Sequence, residues 1–141
     1  MMRNYFIFTI ITLLLISIIG CSTKFIDYKA KTTDEEEIKT TLLNYWEAEE
    51  NADRGFLSFF HEDARIMTGR YRAVVSKQQY SIMLQSIFAQ GWSWEKGSPK
   101  MNVKGDEAII KVWLYGGGVS LYYTYNLVRE NGRWYIMSTK Y

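Results

Sequence analysis

The sequence predicts an α+β domain, helices first and strands after, and three observations carry that prediction. Apolar residues recur at helical spacing as far as Gly91 and then at every second position towards the end of the chain. The helical part opens twice on a capping pattern, Thr33 with Glu36 and Ser76 with Gln79. The alternating part is divided by turn sequences, Gly105-Asp106, Gly116-Gly117-Gly118 and Asn131-Gly132. A chain of 141 residues has room for one core, and helices packed on one face of a meandering sheet bury the apolar side of both.

Residues 1–33 stand outside this domain. Met1-Met2-Arg3-Asn4 leads into an apolar run over residues 6–19, broken only by Thr9, Thr12 and Ser17. A basic start followed by an uncharged core of this length is the pattern of an export signal, and it is shorter than the roughly 20 apolar residues that span a bilayer. It ends Ile18-Ile19-Gly20-Cys21, which resembles the bacterial lipoprotein box. The resemblance implies that residues 1–20 are a lipoprotein signal peptide, removed so that Cys21 becomes an acylated N-terminus carrying diacylglyceryl and palmitate-type chains. It places the protein in the bacterial cell envelope, outside the cytoplasm and bound to membrane through lipid. The alternative is an uncleaved helix with an incidental cysteine. Residues 21–33 carry Lys24, Lys29 and Lys31 against Asp27 with no hydrophobic period, so they read as a tether. Twelve extended residues reach at most about 40 Å.

The domain at 34–141 begins with a helix whose inner stripe is Ile38, Leu42, Tyr45 and Trp46, running to about Asn51. Asp53 starts a short second helix burying Phe56, Leu57, Phe59 and Phe60, and residues 64–67 follow as a short strand. The third helix opens at Ser76, presents Tyr80, Met83, Leu84, Ile87 and Phe88 on one face, and stops at Gly91. Trp92 and Trp94 then alternate with polar residues. Residues 100–104 form a strand, and the next has Ala108, Ile110, Val112 and Leu114 on one face, with Ile109, Lys111, Trp113 and Tyr115 on the other. Val119, Leu121, Tyr123, Tyr125 and Leu127 share a face of the strand after it, and the Asn131-Gly132 hairpin leads into the last strand.

That order resembles the nuclear transport factor 2-like (NTF2-like) superfamily, with its SnoaL-like and ketosteroid isomerase-like members. The matching residues are Leu42-Leu43-Asn44-Tyr45-Trp46, Phe60-His61-Glu62-Asp63-Ala64, the helix from Ser76, and the closing hairpin around Arg129-Glu130-Asn131-Gly132-Arg133-Trp134. The resemblance implies a cone in which three N-terminal helices pack on a strongly curved antiparallel sheet, with a mostly apolar pocket at the open end. In the isomerase-like branch a catalytic aspartate lies five positions after Asp63; here that position is Thr68, whose hydroxyl cannot serve as the base. Tyr45 falls near that branch's tyrosine donor once a one-residue shift is allowed.

Charge and composition narrow the function. Seventeen basic against fifteen acidic residues do not fit a nucleic-acid protein, and one cysteine with one histidine leaves no disulfide framework, cysteine cluster or histidine pair. His61-Glu62-Asp63, read at the end of the short helix, diverges by about 100° per residue and is not expected to bind metal. No cofactor is expected. The 5 Trp, 11 Tyr and 7 Phe are the remaining signal. Tyr45, Phe60, Tyr71, Trp92, Trp113, Tyr123 and Tyr125 are the candidate pocket residues, with Lys111 and Asn126 as weaker inward candidates. Outward aromatics would suit a partner or a second copy of the chain. The leading expectation is a non-catalytic, lipid-anchored binding or interaction module taking a small apolar ligand or a partner segment. The alternatives are a SnoaL-like isomerase, cyclase or hydrolase using Tyr45 with a base such as Glu47 or Asp63, or an envelope subunit docking by its sheet face. An inward carboxylate within reach of Tyr45 would favour the enzyme; a cone plugged by its own aromatic side chains would remove both ligand hypotheses.

Overall fold

The computed structural model of the chain describes residues 23–68, 72–89, 91 and 93–141. The lipoprotein-box cysteine Cys21 and the signal segment lie outside the described residues, as do the pocket candidates Tyr71 and Trp92. Helix α1 spans Thr33–Glu50 and is capped one residue earlier than expected: the Thr32 side chain accepts from the Glu35 N–H at 3.2 Å. Asp34, Glu35 and Glu36 occupy its first turn, where the helix dipole favours negative charge. Its buried stripe is Ile38, Leu42, Tyr45 and Trp46. A 3-10 helix at Arg54–Phe59 follows, its Asp53 cap accepting from the Gly55 N–H at 2.8 Å.

Strands β1 (Phe60–Met67) and β2 (Val74–Ser76) precede helix α2 (Lys77–Phe88), whose start carries the complete Ser76/Gln79 capping box. The remaining strands are β3 (Glu95–Lys96), β4 (Lys100–Lys104), β5 (Glu107–Gly116), β6 (Val119–Glu130) and β7 (Arg133–Lys140). Asn131 and Gly132 both take positive φ in the β6–β7 turn, as a tight two-residue hairpin requires. Sheet order is β2-β1-β7-β6-β5-β3, with β4 also on β5.

Two features of the sheet differ from the expected antiparallel meander. β1 runs parallel to β7, because the chain crosses the whole domain between them. β1 also starts four residues earlier than expected, so Phe60 and the His61-Glu62-Asp63 triplet belong to a strand and not to a helix. Pairing shifts from Phe60↔Ile136 to Arg65↔Ser138, leaving extra residues on β1, and a second shift falls between Asn126 and Leu127 on β6. Such irregularities bend strands and increase twist, and they curve the sheet around α1 and α2. Ile110, Val112, Tyr125, Leu127, Trp134 and Ile136 form its inner face against the α1 stripe and against Tyr80 and Leu84 of α2.

The segment read as a tether is in part a piece of the domain. Phe25, in a 3-10 turn at Phe25–Asp27, is 1% exposed and stands edge-on to Trp46 with 4.7 Å between ring centroids. Lys24 bridges Gly97, the Tyr28 hydroxyl donates to the Glu35 carboxylate at 2.8 Å, and Lys39 Nζ donates to the Tyr28 carbonyl at 2.8 Å. A single apolar residue has no period to betray it; only the gap beside Trp46 explains why it is buried.

Candidate functional site

The wide end of the curved sheet is not filled. A cavity of about 700 Å³ lies between the end of α1, the last turns of α2 and the inner face of β5 and β6. Its apolar wall comes from Ile66, Met83, Ile87, Phe88, Leu114 and Leu121. The volume falls in the range of small-molecule pockets, which are mostly apolar with a few placed polar groups. The aromatic side chains therefore line the cone without plugging it.

Glu49 and the phenols of Tyr45, Tyr80, Tyr123 and Tyr125 are the inner polar groups, with Glu50, Lys96, Arg72 and Tyr141 also on the wall. Glu49 lies one helical turn after Tyr45 on α1, so both project to the same side. The Tyr45 hydroxyl donates to Glu49 Oε1 at 3.1 Å. Burial pushes the Glu49 carboxyl above its usual range, partly offset by the Tyr45 hydrogen bond and the charge of Lys96. Tyr80, Tyr123 and Tyr125 complete the set, each buried enough to raise its phenol and each feeling the Glu49 charge; Tyr123 is pushed up to about 12. Raised phenols stay protonated at any physiological pH and offer hydrogen bonds to a ligand oxygen. Tyr125 is also held from behind, its hydroxyl oxygen accepting from Trp46 Nε1 at 2.9 Å.

At the mouth, Lys96 pairs with Glu50 and lies 5.5 Å from the Trp46 ring centroid, while Arg72 lies over Tyr141. Both cations and both rings line the cavity. Thr68, at the position matching the isomerase-like base, is on the wall as well, and its hydroxyl donates back to the Ala73 carbonyl at 3.2 Å.

Of the residues singled out from sequence, Tyr45, Tyr123 and Tyr125 line the cavity. Phe60 does not: it is 1% exposed in the core behind the wall, edge-on to Tyr45 and packed against Phe56 and Tyr80. Trp113 points the other way. It alternates with the buried face of β5 and lies 39% exposed on the convex side, against Tyr122. Lys111 shares that outward face, and Asn126 donates to the Ser138 hydroxyl at 2.7 Å instead of entering the cone. Glu47 is exposed, as is Asp63, whose N–H donates to His61 Nδ1 at 3.1 Å. His61 meets Glu130 at 3.2 Å, away from the cavity wall. Among the described residues no group of three or more His, Cys, Asp or Glu could hold a metal ion.

Sequence reasoning missed Glu49. The available signal was its place four residues after Tyr45, hidden within the acidic run Glu47-Ala48-Glu49-Glu50.

No family model and no curated protein matches the chain. Solved structures do. An NTF2-like protein from Cytophaga hutchinsonii superposes with a TM-score of 0.63 over 77% of this chain and 96% of that one, at 13% identity. The fold is NTF2-like. The same NTF2-like cone matches a protein of unknown function with a cystatin-like fold from Nostoc punctiforme, at TM-score 0.65 and 14% identity over 79% and 92% of the two chains. It also matches a protein from Shewanella frigidimarina provisionally named a ketosteroid isomerase, at TM-score 0.62 and 16% identity over 72% and 90%. At these identities the likeness is one of fold.

Proposed function

We propose that this chain is an envelope lipoprotein, acylated at Cys21, whose NTF2-like cone binds a small, largely apolar molecule without transforming it. The observation that carries the binding half is the Tyr45–Glu49 pair at 3.1 Å on the wall of an open 700 Å³ cavity. A carboxyl kept in apolar surroundings loses solvation unless something donates to it. A ligand hydroxyl or amine placed beside Tyr45 would supply that donor, while the phenols of Tyr80 and Tyr123 face a ligand oxygen.

Native mass spectrometry of the protein extracted from membranes tests this reading. The expected result is a bound organic molecule that is retained by wild type and weakened about tenfold or more by Glu49→Gln or Tyr45→Phe, as loss of a charge-assisted hydrogen bond implies. Unchanged binding in both variants would refute the assigned site. Changing Cys21 to Ala is expected to release the chain from the membrane fraction; persistence there would refute lipid as the sole anchor.

The same pair favours a second reading, an acid–base enzyme. A carboxyl whose proton affinity burial has raised is a stronger proton acceptor than a solvated one, and Tyr45 would hold it in place. The two readings separate in D₂O: exchange of a carbon-bound proton of the bound molecule, lost in Glu49→Gln, identifies the enzyme.

A further inference from the structure

The convex side of the sheet carries a second organised surface, opposite the cavity. Trp113 and Tyr122 are register partners on β5 and β6, with ring centroids 4.4 Å apart, 39% and 53% exposed. Tyr115 continues the same face and is 52% exposed. One register row away, Lys100, Lys111, Thr124 and Lys140 stand side by side across β4, β5, β6 and β7. The three lysines are exposed, and among the described residues none of them forms an ion pair. Along β3 to β6 the acidic residues of this face are Glu95, Glu107 and Glu130. Glu95 lies opposite Tyr115 at the aromatic end. Past the other side of the lysine row are Glu107, opposite Lys104, and Glu130, opposite Arg133 and paired with His61.

The chain reaches the domain beside this surface. Lys24 bridges Gly97, and the Gly97 N–H donates to the Trp113 carbonyl at 2.8 Å. Lys24 therefore lies two strand spacings from Trp113, about 10 Å. Cys21 precedes Lys24 by three residues, which span at most about 10 Å. Burial of Phe25 prevents the leash from lengthening without breaking the core.

We propose that this face is a membrane seat, with Trp113, Tyr115 and Tyr122 in the headgroup region of an anionic bilayer and Lys100, Lys111 and Lys140 against its phosphates. Trp and Tyr favour that interface because one end of each ring system is apolar and the other polar, and lysines beside them are drawn to anionic lipid. The seat rests on the reading that Cys21 is acylated, since the short leash is what holds this face and no other against the lipid.

The test uses the full acylated chain in vesicles of phosphatidylcholine with phosphatidylglycerol and a trace of diazirine-bearing phospholipid. After illumination, one digest reports both the mass of the Cys21 peptide and the sites of lipid adducts. Expected are an acylated Cys21 peptide and adducts on Trp113, Tyr115 or Tyr122. The adducts should drop several-fold in pure phosphatidylcholine and in the Lys100→Glu/Lys111→Glu/Lys140→Glu variant. An acylated chain with adducts elsewhere, or with this face protected by a second copy in a cross-linked dimer, would overturn the seat and leave the anchor standing. An unmodified Cys21 with no vesicle association would overturn both.

Discussion

Replacing Phe25 by Ala removes a side chain that is 1% exposed and edge-on to Trp46, in a segment that carries no hydrophobic period. Full burial of a phenylalanine side chain contributes up to about 3 kcal/mol, and an edge-to-face aromatic pair about 1 kcal/mol more. Against this, residues 24–28 regain chain freedom if they come away, which limits how much of that sum is lost. The loss therefore cannot exceed the free energy with which the segment docks, and it belongs at the low end for a core Phe→Ala change, about 3 kcal/mol. For a domain of this size that lowers the thermal midpoint by roughly 10 °C. Urea unfolding followed by tryptophan emission measures it, and Trp46, the ring that Phe25 covers, gives a second signal as its surroundings become wet. A loss below about 0.5 kcal/mol, the value of an ordinary surface site, would refute the docked segment. With it would go the short leash to Cys21.

Two further outcomes follow from the cavity and its rim. Glu49 binds its proton more tightly in the folded chain than in the unfolded one, burial being the main cause. Stability therefore falls as pH rises from the ordinary carboxylate value of 4.5 through the raised one, and the full penalty is present above it. Glu49→Gln is expected to flatten the thermal midpoint over that window and to be at least as stable as wild type at pH 8; an identical pH slope in both proteins would refute the desolvated carboxyl. Gly116→Ala would set a methyl group 2.8 Å from the Ser93 carbonyl oxygen and 3.1 Å from the Trp94 ring. Backbone cannot yield there as a side-chain tip would, so a loss of about 1–3 kcal/mol in chemical unfolding is expected. Wild-type stability in that variant would mean that the rim does not close on Gly116.

Much of the molecule was legible residue by residue. The Ser76/Gln79 cap, the α1 stripe, the two faces of β5 and the Asn131-Gly132 turn each depend on residues no more than a few positions apart, so their spacing carries the information. Tyr45 belonged to that stripe, and Glu49 was within the same reach, one turn on; its acidic neighbours concealed it. The alternation along β5 set Trp113 apart from Ala108, Ile110, Val112 and Leu114, yet it was expected in the pocket and lies outside, because the helices cover the other face of the strand.

By itself, then, the sequence determined an α+β chain with helices before strands, their caps and turns, and the aromatic load of the strands, because each of these is a local property of the backbone and its near neighbours. The tertiary structure alone decided the parallel pairing of β1 with β7 and the bulges that curve the sheet. It also decided the burial of Phe25 beside Trp46 and the meeting of Glu49 with phenols from α2 and β6. Those contacts join residues far apart in the chain. They depend on which surfaces are left to cover once the helices have packed, and no spacing along the sequence encodes that.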